Sequence, residues 1–202
     1  MTITWPAALV PQRCVPALRN FALSGGRALT GRQQRTFFDA GFWTVRYDGI
    51  VVKDRETANT YQATLARLRQ GEDVNLPIPN LYPPDGVTTP GNGLTLRQAH
   101  TLRTTTLDMM SVEVTVTAGT YLCIDQWIYQ VTDVTLAPAP GGTGRYIVGI
   151  LPPLRLAYPE AKTVKPRILT LRCVLDDLKA GDLDYDRSGV AFPSLTFIEQ
   201  AP

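Results

Sequence analysis

The stretch FWTVRYDGIVV, residues 42–52, carries the strongest β signal in the chain. Its first six residues alternate between two sets of side chains, and this period of two is typical of a half-buried strand. Asp48-Gly49 is a strong signal for a hairpin turn, and residues 50–52 supply an apolar return strand. The stretch therefore predicts a β-hairpin, and with it a fold made mainly of strands.

A helix is predicted directly after this hairpin. Asp54 is suited to the N-cap position, because its carboxylate can accept a hydrogen bond from the free amides of the first helical turn. Gly71 is expected to end the helix, since glycine readily takes the left-handed C-cap conformation. The apolar side chains at steps of three, four and three share one helix face: Ala58, Tyr61, Leu65 and Leu68.

The rest of the chain is predicted to form short strands, because its sixteen glycines and sixteen prolines favour turns. Residues 1–35 are expected to form an arm or edge strand, in which residues 20–23 pair before Gly25-Gly26 turns the chain. Residues 73–79 alternate but contain two prolines, which predicts an edge strand. Further strands are predicted at 94–96, 102–107, 111–117, 121–124, 127–135, 145–150, 167–175 and 194–199.

The two ends of the chain are expected to form one domain. Residues 80–93 have a turn and linker composition and mark the best internal boundary. The segment before this boundary has about three strands and one helix, and burial becomes marginal below about 100 residues. We therefore expect residues 1–88 and 164–202 to form a discontinuous domain. Residues 89–163 should form an inserted β-rich barrel or sandwich without a helix.

Composition excludes several classes of function. The 202 residues have a formal net charge of +2, which is too balanced for a general nucleic-acid or membrane-surface binder. One histidine and three dispersed cysteines make a zinc site, a catalytic triad or a disulfide framework hard to assemble. Cys14, Cys123 and Cys173 are expected to be buried thiols in a reducing compartment. The N-terminus lacks a secretory pattern, so we expect folding in the cytoplasm.

No motif with a specific chemistry is complete. Residues 182–186 alternate carboxylates like the start of an EF-hand loop, but Arg187 and Pro193 stand where that loop requires glycine and glutamate. His100 has no carboxylate or cysteine at a metal-ligand spacing. Residues 141–144 lack the spacing of a phosphate-binding loop and are typical of a hairpin loop.

The remaining charged residues also suggest structural roles, so we predict no catalytic, cofactor-binding or metal-binding residues and no enzyme activity. Turn positions are expected for the carboxylates that could otherwise pair in glycoside hydrolysis: Asp176, Asp177, Asp39, Asp48 and Asp125. A loosely basic N-terminal region contains arginines without interleaved stacking aromatics: Arg13, Arg19, Arg27, Arg32 and Arg35.

A more specific resemblance rests on short phrases in a fixed order. The phrases are DAGFW (39–43), YDGIVV (47–52), LARLRQGED (65–73), LPIP (76–79), GTYLCI (119–124), WIYQVT (127–132), ILPPLR (150–155) and GVAFPSLTFIE (189–199). Their order resembles that of the distal tail proteins that cap the tail tube of long-tailed bacteriophages, over about residues 36–200. The inserted segment is short for that family, and the proline-rich N-terminal arm has no counterpart in the resemblance.

The resemblance implies a tail-tube-like β-sandwich with one flanking helix, split by the inserted β-rich domain. It implies a structural virion protein that forms a ring, expected to be hexameric, and joins the tail tube to the hub and fibre apparatus. The implied partners are other copies of the chain, the tail tube protein, the tail hub protein and the tape measure protein. DNA would only pass through the lumen, without membrane insertion. The implied location is the tail tip of the virion, after assembly in the host cytoplasm.

Two other classes of function stay open at the level of sequence. Small β-barrels with exposed aromatics bind sugars, and the available rings are Tyr121, Trp127, Tyr129 and Tyr158, although aromatics in strands are more often core residues. The chain could also be another phage connector, such as a tail terminator or a hub. The native mass separates these classes, because a tail cap forms a ring of six, a hub a trimer and a glycan-binding module a monomer.

Overall fold

The structure is a computed structural model that describes residues 2–27, 33–79, 93–112, 114–136, 144–185 and 189–200, with side chains outside 20–40. This part of the chain is mainly β, as predicted, with one helix and two six-stranded sheets. The elements are β1 Thr2–Thr4, β2 Pro11–Arg27, β3 Gln33–Ile50, α1 Arg55–Arg69, β4 Asp73–Ile78, β5 Leu94–Leu96, β6 Thr106–Ser111, β7 Tyr121–Ile124, β8 Trp127–Leu136, β9 Gly144–Leu151, β10 Thr163–Val164, β11 Leu169–Leu175 and β12 Leu195–Glu199.

Strands from both ends of the chain build the first sheet, in the order β1-β4-β11-β12-β3-β2. Every second side chain of β4, β11 and β12 is buried, so one face of the sheet carries the core. Tyr47 Oη of β3 donates to the Pro77 carbonyl of β4 at 2.5 Å, although two strands lie between them in the sheet. The sheet is therefore strongly curved around its core.

Helix α1 forms as the sequence predicts. Asp54 Oδ1 accepts a hydrogen bond from Thr57 N at 2.8 Å, which confirms the N-cap. Gly71 has φ +85°, and its amide donates to Leu68 O while the next amide, that of Glu72, donates to Arg67 O. This pair of bonds satisfies two carbonyls at the helix end in a Schellman motif. On the predicted apolar face, Tyr61, Leu65 and Leu68 are buried and Ala58 is half-buried.

Gly181 lets the chain after β11 pass close to the helix. Its carbonyl accepts a hydrogen bond from Tyr61 Oη at 2.7 Å. A Cβ atom on Gly181 would lie 2.5 Å from Leu195 Cδ2 and 2.7 Å from Tyr61 Oη. The residue also has φ +88°, which disfavours any side chain. Glycine is thus required here for both conformation and space.

The second sheet is built from the middle of the chain, in the antiparallel order β10-β5-β6-β9-β8-β7. The predicted strands 94–96 and 121–124 are confirmed without change, whereas 127–135 and 145–150 are each longer in the structure. The strands predicted at 102–107 and 111–117 are wrong, because one strand, β6, spans 106–111 instead. Whether the residues of each sheet fold as separate domains stays a prediction.

The alternation that suggested a strand at 111–117 has another cause. Val114 and Val116 are buried without strand pairing. Ser111 Oγ donates to Val114 O at 2.5 Å and accepts from Val114 N at 3.1 Å, so a side chain satisfies the backbone where a strand would have done so. The alternation of apolar residues at this place therefore reflects burial of a segment that does not form a strand.

The predicted hairpin turn at Asp48-Gly49 is also wrong. Strand β3 continues through both residues to Ile50, and it pairs with β2 instead of with residues 50–52. Gly49 has φ +62°, and the place of its missing Cβ lies 2.8 Å from Gln12 Oε1. Because Gly49 has no side chain, the Gln12 side chain of the neighbouring strand β2 has room to lie beside it. Asp48 is held by Arg46 Nε at 2.7 Å.

The N-terminal segment contributes more to the sheet than an arm would. Of the predicted residues 20–23, residues 21–23 pair with β3 as part of β2, after a shift of register that follows Arg19. Gly25-Gly26 lies within β2 and does not turn the chain. The connection between β2 and β3 and the linker at 80–92 lie outside the described residues.

Strand β4 was predicted to lie at an edge of its sheet, and this is correct only for its second half. Short β1 covers residues 73–75, and Trp5 N extends the contact by donating to Asn75 O at 3.2 Å. The backbone of Pro77 points towards the same edge of β4 as that of Asn75, but Pro77 lies beyond the residues that β1 covers. The proline therefore removes no ladder hydrogen bond.

Candidate functional site

Strands β2 and β3 form a long ribbon that extends past the rest of the first sheet. They pair from Pro11–Ile50 to Arg27–Gln33, whereas β12 pairs with β3 only over residues 44–47. The half of the ribbon that contains residues 19–27 and 33–42 therefore has no third strand in the described structure. The outer edge of β2 is likewise unpaired there, and it contains no proline after residue 16. Such an edge is a template for pairing with another chain.

A buried ion pair holds the base of this ribbon. Arg155 Nε and Nη2 donate to Glu199 Oε1 and Oε2, both at 2.8 Å. Glu199 Oε2 also accepts from Trp43 N at 2.8 Å, and Arg155 Nη2 donates to Gly41 O. The Glu199 side chain is 1% exposed and that of Arg155 15%. Residues 41 and 43 thus obtain from side chains the hydrogen bonds that a neighbouring strand would otherwise supply.

This ion pair also joins the two sheets, because Glu199 ends β12 and Arg155 follows β9. The Arg155 amide donates to Tyr129 Oη of the second sheet at 3.1 Å, which fixes the backbone that carries the guanidinium. Burial of the Tyr129 ring raises its pKa to about 12, so the hydroxyl stays neutral. Two buried charges are stable only when they are paired and hydrogen-bonded, as they are here.

Backbone contacts continue the junction between the sheets. Trp43 Nε1 donates to Ile128 O at 2.8 Å. The Arg172 amide of β11 donates to Gln126 O, between β7 and β8, at 3.1 Å, and Cys123 Sγ of β7 donates to Thr170 O of β11 at 3.4 Å. The β7–β8 hairpin is therefore docked on the first sheet, and Cys123 and Ile128 belong to the core of that sheet. Burial raises the pKa of the Cys123 thiol, which disfavours a reactive thiolate.

The residues that resembled a calcium loop do not converge on one point. Asp182 Oδ1 accepts from Arg69 Nη2 at 2.7 Å, whereas Asp184 is exposed, and Asp186 lies outside the described residues. Tyr185 forms a β-bridge with Ala191. Beside this segment runs a groove of about 410 Å³ against helix α1. The segment therefore forms an exposed acidic turn beside helix α1.

His100 is part of the frame of the second sheet. It is buried, exchanges two 2.9 Å backbone hydrogen bonds with Tyr158, and its Nε2 accepts from Asp108 N at 3.2 Å. Arg145 binds both oxygens of Asp108, at 2.9 and 2.8 Å, and holds the pKa of that carboxyl below its usual range. The nitrogen that could act as a base is occupied by a backbone amide, so the imidazole serves to hold β6.

The aromatic residues considered for sugar binding are mostly inside the second sheet. Trp127, Tyr129 and Tyr158 are buried, and Tyr121 is half-buried with its ring 5.8 Å from the Trp43 ring. Sugar binding requires an exposed ring face, which the three buried rings do not offer.

The other charged candidates are dispersed. Asp125 pairs with Lys162 at 2.6 Å, and Asp176 and Asp177 are exposed. The side chains of Asp39, Arg27, Arg32 and Arg35 and the loop residues 141–143 lie outside the described part. Within the described residues no group of three or more histidine, cysteine or acidic side chains could hold a metal ion. In the same part of the chain no helix has the length and apolarity needed to cross a bilayer.

A second groove, of about 610 Å³, is lined by the segment between β1 and β2 and by the ends of β4 and β11, and it was not anticipated from the sequence. Trp5 and Tyr47 are buried at its wall, while Val10 and Ile168 are exposed at its margin. The half-buried Cys14 thiol also lines it, and burial raises the pKa of this thiol to about 12. The groove is thus apolar and holds no reactive thiolate.

Sequence reasoning missed the ribbon and the pair Arg155–Glu199. The partners of the ion pair are 44 residues apart, so no local pattern reveals them. No protein-family model matches the chain, and comparison with curated proteins finds no match. The functional argument therefore rests on the geometry of the sheets.

Proposed function

We propose that the chain is a structural virion protein of a phage tail tip, and that copies of it form a hexameric ring. The ring joins the tail tube to the hub and fibre apparatus. The observation that carries this proposal is the long β2–β3 ribbon, whose outer edge is unpaired in the described structure. Closed rings of identical subunits remove such open edges, and a ring needs an element that reaches from one copy to the next.

The placement of the second sheet supports the same role. Both chain ends contribute to the first sheet, while the segment between them forms the second sheet as a side unit. The contacts of Arg155, Glu199 and Trp43 fix this unit at the base of the ribbon. A load transmitted from an attached fibre to the second sheet would thus reach the ring through a stiff junction.

The proposed partners follow from this role. They are other copies of the chain, the tail tube protein, the tail hub protein and the tape measure protein, at the tail tip of the virion. DNA would pass through the ring without being bound. Glycan binding is less well supported, because Trp127, Tyr129 and Tyr158 are buried. We propose no catalytic role, since His100 Nε2 is used to hold a backbone amide.

Negative-stain electron microscopy of the purified full-length protein tests the proposal. We expect rings with six-fold symmetry and a central opening. A variant in which residues 20–40 are replaced by a short Gly/Ser turn should give single particles of monomer size, because it lacks the half of the ribbon that extends past the rest of the sheet. The His100→Ala variant is the control and should still form rings. A wild-type protein seen only as monomers or trimers would contradict the proposal.

A further inference from the structure

The ribbon is cationic in a protein that is otherwise almost neutral. Strand β2 contains Arg13, Arg19 and Arg27 and no acidic residue, whereas the whole chain has a net charge of only +2. Arg19 is exposed and lies opposite Phe42, at the start of the half of the ribbon that has no third strand, whereas Arg13 lies opposite Asp48 at the other end of the ribbon. The open strand edge therefore combines unpaired backbone groups with positive charge.

A surface of opposite character lies near the C-terminus. We call it the Asp-aromatic patch, and it consists of Asp182, Asp184, Tyr185 and Phe192. Tyr185 and Phe192 are each 48% exposed, and the bridge between Tyr185 and Ala191 brings their backbones together. Both aspartates are exposed. The patch borders the groove against helix α1, so it offers apolar contact area as well as negative charge.

The two surfaces lie at opposite ends of strand β3. The half of the ribbon without a third strand lies beyond Gly41, whereas the Ile50 amide at the other end of β3 donates to Pro193 O at 2.9 Å and Val52 bridges to Ala191. Ile50 lies nine positions after Gly41, which is about 30 Å along the strand at about 3.3 Å per residue. The ribbon of one copy points away from its own patch. Only a second copy can bring the two surfaces together.

We propose that the ribbon of one copy docks on the Asp-aromatic patch of the next copy, head to tail. This inference rests on the proposed ring and names the contact that closes it. Arg19 at the base of the free half of the ribbon faces the Asp184 carboxylate, and the exposed aromatic rings supply the apolar part of the contact. Because the two surfaces differ, the contact is heterologous, and such contacts produce rings when the rotation between copies closes. Because the ribbon is cationic, complementary charge favours its binding to the Asp-aromatic patch of another copy over its binding to the ribbon of another copy.

Charge reversal of one residue on each surface tests the contact. Arg19→Glu changes the ribbon, and Asp184→Arg changes the patch without removing the Asp182–Arg69 pair. Each single variant should weaken self-association, measured by sedimentation at low salt, by at least about tenfold. The double variant should regain most of the loss, because the attraction is restored with reversed signs. The control Arg97→Glu carries the same change on an exposed arginine of the second sheet and should assemble normally.

Several outcomes would overturn the contact. If wild-type rings form and both single variants assemble like the wild type, the contact is wrong while the ring stands. If the wild type forms no ring in any buffer, both the contact and the proposed function fail. A double variant that stays as weak as the single variants would also contradict direct pairing of the two surfaces. If Arg19→Glu abolishes binding of a single-stranded oligonucleotide but leaves assembly unchanged, the ribbon serves a nucleic acid instead of a second copy.

Discussion

Replacement of Glu199 by alanine removes the acceptor that holds the base of the ribbon. The change leaves the Arg155 guanidinium, 15% exposed, without its counter-charge, and it leaves the Trp43 amide without its acceptor. Removal of one partner of a buried ion pair costs about 3–5 kcal/mol. We therefore expect the Glu199→Ala variant to lose about 4 kcal/mol of the free energy of unfolding.

Urea denaturation followed by tryptophan fluorescence measures this loss. With a denaturant slope of about 3 kcal/mol per molar, 4 kcal/mol corresponds to a fall of roughly 1.3 M in the urea midpoint. Two further variants identify the cause. The double variant Arg155→Met/Glu199→Met should recover much of the stability, because it leaves no unpaired buried charge. Asp48→Ala breaks a pair whose arginine side chain is 61% exposed, and should cost at most about 1 kcal/mol.

A Glu199→Ala variant that loses no more stability than Asp48→Ala would refute this reasoning. A double variant much less stable than the single Glu199→Ala variant would refute it as well, since the cost would then come from lost packing. Either result would mean that the contact between the two sheets depends mainly on apolar burial. The ion pair would then have no special part in fixing the ribbon.

Three more predictions concern other parts of the fold. Gly181→Ala should lower the free energy of unfolding by about 2–4 kcal/mol in the same urea assay. Gly119 has a nearly equal φ of +89° but lies in open space, so Gly119→Ala should cost only about 1 kcal/mol. The Arg145 guanidinium holds the pKa of Asp108 below its ordinary value of 3.8, so the pair stabilises the fold fully above that pH and its contribution is lost as pH falls below about 3.8. Wild-type stability should therefore drop in this acid range more than that of Asp108→Asn. Excision of residues 91–162 with a Gly/Ser join should leave a soluble remainder that unfolds cooperatively but at lower temperature, because it lacks the partners supplied by the second sheet; a remainder without cooperative thermal unfolding would contradict the discontinuous domain.

Local signals in the sequence were sufficient for some elements. The Asp54 cap, the spacing of Tyr61, Leu65 and Leu68, and Gly71 define helix α1 within the chain itself, and the structure has this helix at Arg55–Arg69. The fold class was also predictable, because frequent glycines and prolines favour strands joined by turns. The expectation of short strands fails for β2 and β3, which have 17 and 18 residues.

Other features depend on contacts between distant residues. Asp48-Gly49 has the composition of a turn, but Gly49 serves to admit the Gln12 side chain, and no local pattern distinguishes the two uses. The alternation at Val114 and Val116 reflects burial of a segment that Ser111 holds without a strand. The ribbon depends on the pairing of β2 with β3.

The native mass of the full-length protein tests the central proposal most directly. Native mass spectrometry or light scattering in low-salt buffer should find six copies of the 22.2 kDa chain, a particle of about 133 kDa. The same measurement on the variant without residues 20–40 should give the mass of one shortened chain. A wild-type mass near 22 kDa that does not change with protein concentration would contradict the ring.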